Sequence, residues 1–271
     1  MTEKQTIVLV TGNHSSTQSI TGLKADTSLS PQGANSGVGY AIAKIVASAS
    51  PKYHIIMTGR TVSKIEAAAA ELRALPELKG TLSTLQLDVT SPDSIASAVS
   101  HVTQTHGHLD ALINNAGVYF PEKDTLTGFR DTFETNVYGP VLVSEAFRPL
   151  LLKSSNPYSL FITSGLGSLA LASDRASAHH GFQGTAYRAS KAALNMVAIE
   201  EMKVCAGKVK VFTCCPGLVV SNLRGTSEAQ REAGGRAEDP DTSGQMILDV
   251  LEGKRDKDVG GFVQRDGTYP W

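Results

Sequence analysis

Cysteine, tryptophan and charge of one sign are scarce in this chain, and each shortage narrows what it can be. The three cysteines, Cys205, Cys214 and Cys215, form neither a disulfide framework nor a metal-ligand spacing, so no metal site is expected. The adjacent pair Cys214-Cys215 fits two faces of one strand better than redox chemistry. A formal net charge of -1 gives no electrostatic reason to expect nucleic acid or an anionic membrane as partner. Blocks of like charge that would mark a binding tail are missing as well. Long apolar runs are also absent. The first one, Ile7-Val8-Leu9-Val10, is too short for a signal h-region or a membrane span. The expectation is a soluble, cytoplasmic protein with no membrane or nucleic-acid partner.

What is present is a steady alternation. Short β-branched apolar runs occupy 6–11, 54–58, 84–89, 111–115, 159–164, 209–214 and 261–263. Between them lie amphipathic helical patterns over 38–49, 63–75, 93–105, 127–151, 186–204 and 242–251, the second closed by Pro76. Alternating strands and helices form right-handed βαβ units, and the continuous apolar character of the strands requires cover on both faces. The fold class is therefore α/β: a doubly wound parallel sheet of about seven strands in a three-layer α/β/α arrangement. No composition shift divides residues 1–271, which read as one domain.

One segment breaks this rhythm. Residues 13–33 are rich in Ser and Thr, show no periodic apolar face and read as a loop of unusual length. Starting from its last residue, Gly33-Ala34-Asn35-Ser36-Gly37-Val38-Gly39 opens the first helix after the first strand. Glycines there permit a tight turn and close approach of a pyrophosphate to backbone N–H groups at the helix N-terminus. The second strand ends in Thr58-Gly59-Arg60. It lacks the carboxylate that an NAD-preferring site places there, and Arg60 offers a cationic fork suited to a 2′-phosphate. Asp88-Val89 closes the third strand, where the carboxylate could meet an adenine edge, and Asn114-Asn115-Ala116-Gly117 closes the fourth. Strand ends of this kind are where ligands sit in open α/β sheets.

Further along, Tyr187-Arg188-Ala189-Ser190-Lys191 opens a long helical pattern, and a spacing of four places Tyr187 and Lys191 on one face. A nearby ammonium favours the phenolate form of a tyrosine and brings it closer to acid–base work near neutral pH. In one order the chain thus carries Thr11-Gly12, Gly37-x-Gly39, Asn-Asn-Ala-Gly, Asn136, Ser164, Tyr187, Lys191 and Pro216-Gly217. This set resembles the short-chain dehydrogenase/reductase family over essentially the whole chain. The closing Gly260-Gly-Phe-Val and Tyr-Pro-Trp271 are similar to the carbonyl-reductase branch.

The resemblance implies a Rossmann-like fold and an NADP(H)-dependent oxidoreductase that moves a hydride between nicotinamide and a carbonyl or alcohol carbon. It implies Tyr187 as proton donor, with Lys191 lowering its pKa and holding the nicotinamide ribose. Ser164 would bond the substrate oxygen, and Asn136 would help relay protons through water. Pro216, Gly217 and Val219 would line the carboxamide, with Ser221 near the phosphates. Gly12, Gly33, Asn35, Ser36, Gly37, Val38, Gly39, Arg60, Asp88, Val89, Asn115, Ala116 and Gly117 would complete the cofactor site.

Two departures from the family pattern stand out. The stretch from Ser164 to Tyr187 is enlarged by residues 173–184, which could shape substrate access or cover a dimer surface; His179 and His180 there are read as surface. Residues 13–33 interrupt the glycine turn, and Gly12 and Gly33 are equivalent candidates for its first glycine. The segment has the character of a late insertion, conceivably translated intron sequence. A catalytically impaired NADP(H)-binding protein is therefore the alternative reading, and a sugar-nucleotide epimerase or dehydratase a third, disfavoured because little chain follows Gly260. The substrate is a small carbonyl or alcohol of unspecified identity, with a mobile lid expected around 222–241. A homo-oligomer and a monomer both remain open.

Overall fold

The computed structural model describes residues 5–12, 37–120 and 123–271. Eight strands form one sheet in the order β3-β2-β1-β4-β5-β6-β7-β8. Seven of them are parallel: β1 (Thr6–Val10), β2 (Tyr53–Gly59), β3 (Thr81–Gln86), β4 (Ala111–Asn114), β5 (Tyr158–Ile162), β6 (Lys210–Cys214) and β7 (Phe262–Gln264). The eighth, β8 (Gly267–Thr268), turns back antiparallel on β7 and was not anticipated from its two residues. The chain order reverses between β1 and β4, which opens the crevice at the carboxyl ends of the strands.

The helices are α1 (Val38–Ala49), α2 (Val62–Arg73), α3 (Pro92–Thr105), α4 (Thr125–Phe133), α5 (Gly139–Leu151), α6 (Leu169–Ser173), α7 (Thr185–Cys205), α8 (Glu228–Arg231) and α9 (Asp241–Leu251). Period-two alternation along the strands feeds two cores. Val8, Val10, Ile55 and Met57 pack with Ile42 and Val46 of α1, Leu72 of α2 and Ile247 of α9. Ile7, Leu9 and Ile56 point the other way, onto Val102 of α3, Phe147 of α5 and Leu194 of α7. Each such side chain contributes roughly 1.5–3 kcal/mol on full burial. Between α5 and α7, Arg148 donates through Nε (3.1 Å) and Nη2 (2.6 Å) to the two carboxylate oxygens of Glu201.

Two elements depart from the sequence pattern. The third strand lies at 81–86 rather than 84–89. As an edge strand it is only half covered, so its polar TLSTLQ text does not carry the apolar signature of the inner strands. The single helix expected over 127–151 is instead α4 and α5 joined by a π-helical turn, Glu134–Tyr138. Pro140 explains the turn: it lacks the N–H that would close onto the Asn136 carbonyl, and the Gly139 N–H bonds Glu134, five residues back.

Candidate active site

At the cofactor end, Thr11 follows β1 and fixes the loop after β4. Its hydroxyl oxygen accepts the N–H groups of Asn115 (2.8 Å) and Ala116 (2.9 Å), while Asn115 Nδ2 donates to the Thr11 carbonyl at 2.8 Å. The Asn115 amide then packs on the first turn of α1, where a Cβ on Gly39 would lie 2.5 Å from Nδ2. A Cβ on Gly12 would run into the Thr58 carbonyl oxygen, so only glycine fits between the ends of β1 and β2. Gly37 caps α1 with φ 122°, next to Val38 at the first helical position, and being glycine it brings no side chain to the helix's leading N–H groups. Gly12, exposed Arg60, Asp88, Val89, Ala116 and Gly117 are among the residues lining one cleft beside these strand ends. The Asp88 carboxylate accepts Thr90 N–H (3.0 Å) and hydroxyl (2.7 Å), which shapes the turn after β3.

At the other end of the crevice, Tyr187 and Lys191 lie on the first turns of α7, both buried. Lys191 Nζ donates to the Ile162 carbonyl at 2.9 Å and sits 5.7 Å from the centre of the Tyr187 ring. Burial lowers the Lys191 pKa to about 8, with nearby Cys215 acting in the opposite sense. Burial also pushes the Tyr187 phenol above its usual value; Cys215 adds to this, and a hydrogen bond with Ser164 pulls it down. Burial outweighs the benefit expected from the ammonium four residues away. Ser164 follows β5 and caps the short turn Gly165–Gly167, accepting Leu166 N–H at 3.2 Å. Asn136, fully buried in the π turn, donates from Nδ2 to the Val118 carbonyl and Ser190 Oγ (3.0 Å each) and accepts Val118 N–H at 2.7 Å. With its side chain so committed, Asn136 fastens the β4 loop to α7.

A family model described as short chain dehydrogenase matches residues 32–232. The chain belongs to that family. Curated relatives agree: the chain is 33% identical to short-chain dehydrogenase/reductase tropE of Talaromyces stipitatus over 87% of this chain and 94% of that protein. It is 32% identical to eupG of Phoma sp over 88% and 95%. Among solved structures, NADPH-bound carbonyl reductase from chicken fatty liver superposes with a TM-score of 0.76 at 26% identity, covering 99% of this chain and all of that one.

In this short-chain dehydrogenase the segment after β6 runs through half-buried Pro216, exposed Gly217, buried Val219 and buried Ser221. The Pro216 carbonyl accepts Ser243 Oγ at 2.8 Å, and the Ser221 Cβ lies 4.0 Å from where a Cβ on Gly37 would stand, bringing this loop to the start of α1. Gly33, Asn35 and Ser36, and with them the segment 13–33, fall outside the described residues. The expected lid at 222–241 contains a 3-10 turn, Asn222–Arg224, and α8, whose Ser227 and Gln230 form a capping box. Arg224 ties it down by donating to the carbonyls of Val219, Gln230 and Arg231.

Several participants escaped the sequence reading. Cys215 follows β6 and its Sγ accepts Gly165 N–H at 3.1 Å, so it supports the Ser164 turn, while Cys214 packs in the core. Tyr119 packs edge-on against Tyr187. His179, read as surface, is half-buried edge-on against Tyr269 and close over Gly165; His180 is exposed. These contacts join residues far apart in sequence and leave no local spacing to detect. Among the described residues no cluster could hold a metal ion, and no helix is long and apolar enough to cross a membrane.

Proposed function

We propose that this short-chain dehydrogenase is an NADP(H)-dependent oxidoreductase of small carbonyl compounds and alcohols in the cytoplasm, with Tyr187 as its proton donor. The observation that carries the reading is one convergence: a buried phenol kept protonated, a serine hydroxyl bonded to it and a buried ammonium on the same helix face.

The residues present fit a dinucleotide. The N-terminus of α1, capped by glycine, has no acidic residue in its first turn and offers N–H groups and a positive dipole end to phosphate. Gly117 keeps the floor low: a Cβ there would stand 3.4 Å from Asn136 Oδ1 and 3.5 Å from Lys191 Nζ. Bound NADPH supplies the hydride. Tyr187 gives its proton to the carbonyl oxygen and takes it back in alcohol oxidation. The Ser164 hydroxyl, bonded to Tyr187 in the free site, turns its proton to the substrate oxygen when a carbonyl enters beside them. The Lys191 ammonium stabilises the phenolate that Tyr187 becomes.

Purified full-length protein should consume NADPH with a panel of ketones and aldehydes. Its reductive kcat/KM should hold level from pH 6 to 7 and fall as pH rises through about 8, where Lys191 loses its proton. Cofactor binding without consumption would favour the impaired reading, and a profile level to pH 10 would remove Lys191 from the reaction.

Arg60 carries the choice of NADP. It directly follows β2 on the rim of the cleft where an NAD-preferring site has a carboxylate, and the NADPH-bound chicken carbonyl reductase supports the same cofactor. Arg60→Asp should lower the ratio of kcat/KM for NADPH over NADH by about tenfold or more, through charge reversal beside the 2′-phosphate. An unchanged ratio would assign Arg60 to the surface alone.

A further inference from the structure

The enlarged loop of residues 173–184 delivers one large apolar side chain to the site. Phe182 is 39% exposed, and its ring centre lies 6.2 Å from that of Tyr119, tilted by 46°. Tyr119 meets Tyr187 at 5.4 Å with an interplanar angle of 67°. Three rings thus run in sequence from the proposed proton donor outward, and the outermost is the most exposed.

The position of Phe182 is held from two sides. Its ring lies against Gly184, the cap of α7, where a Cβ would stand 2.7 Å from Phe182 Cε1 and where φ is 156°. Arg188, next to Tyr187 on the same helix, donates from Nη1 to the carbonyls of Phe182 and His179 at 2.8 Å each, and from Nε to Leu166 at 3.2 Å. A clamp rooted beside the phenol therefore fixes both the Ser164 turn and the loop that presents the ring.

We propose that Phe182 is a specificity-determining residue that favours carbonyl substrates bearing an aromatic ring next to the reacting carbon. The inference rests on the carbonyl-reducing function proposed above. A ring entering beside Phe182 and Tyr119 extends a run of one edge-to-face and one tilted pair, and gains most where the electron-rich face of one ring meets the positive edge of the next. A saturated ring of equal size gains the burial and forgoes that geometry.

The test compares acetophenone with cyclohexyl methyl ketone, which share the carbonyl and nearly share shape. Both kcat/KM and affinity for the NADPH-loaded full-length protein are measured, in wild type, Phe182→Leu and Arg188→Lys. The wild type should prefer acetophenone by about three- to tenfold. Phe182→Leu should bring the ratio close to one with NADPH affinity unchanged, and Arg188→Lys should lower it part of the way. A merely structural role for Phe182 would weaken both ketones equally and keep the ratio. A wild-type preference for the saturated ketone, or a ratio that Phe182→Leu leaves intact, overturns the proposal. If neither ketone turns over, the affinity ratio decides the role of Phe182 on its own, and the reductase reading stands or falls on the wider panel.

Discussion

Tyr187→Phe is expected to lower kcat for carbonyl reduction by roughly a thousandfold while leaving the affinity for NADPH within about twofold. The substitution removes one oxygen and keeps the ring, so the edge contact with Tyr119 and the packing at the start of α7 persist. No neighbour is placed to take over. Lys191 directs its ammonium to the Ile162 carbonyl, the Ser164 hydroxyl is far too weak an acid, and burial holds the Cys215 thiol up. The fall should therefore appear in kcat and kcat/KM together, as for a group acting only in the transition state. Single-turnover reduction followed by NADPH absorbance reads it directly. Unchanged turnover would remove Tyr187 from the chemistry.

The second large effect concerns stability. Glu201→Ala should destabilise the fold by about 2–4 kcal/mol and lower Tm by roughly 10 °C. Glu201 is 6% exposed, and its carboxylate takes two hydrogen bonds from Arg148 and one from the Cys205 thiol. Truncation strands a guanidinium between α5 and α7 and leaves a gap where the two helices meet. Arg148 keeps some access to water, which holds the cost below that of a fully buried pair. Glu201→Gln should lose less, because an amide oxygen still accepts from Arg148. Fourteen residues along α7, about 21 Å of helix, separate Glu201 from Tyr187, so turnover per folded molecule should not change. Thermal and urea unfolding measure the loss, and a Tm equal to wild type would show that the pair contributes nothing.

The elements most legible in the sequence are those whose pattern is local and complete. The expected bounds 38–49 coincide with α1, and 186–204 falls one residue short of α7 at either end, because α1 lies between Gly37 and Pro51 and α7 between Gly184 and Gly207. Inner strands announced themselves through burial on both faces. The edge strand β3 did not, since half of its surface faces water. The π turn was written in the sequence as Pro140, four residues after Asn136, yet the amphipathic pattern over 127–151 hid it. At the site, the spacing of Tyr187 and Lys191 showed that they share one helix face, and only the whole ordered set of motifs, through its family resemblance, pointed to a role for them. Their electrostatics were not: burial raises one pKa and lowers the other, a consequence of packing by Cys215, Ile162 and Tyr119 from three other elements. The contacts of Arg188 and Phe182 were invisible for the same reason.

Titration of the full-length chain with NADPH and NADH, followed by nucleotide fluorescence, tests most directly whether the glycine-capped start of α1, the Asn115 loop and Arg60 together hold a phosphorylated dinucleotide. A parallel titration of a variant lacking residues 13–33 shows what that segment contributes. The expected result is saturable NADPH binding by the full-length chain, at least about tenfold tighter than NADH, and shifted by less than tenfold when the segment is removed. Failure of the full-length chain to bind NADPH would contradict it.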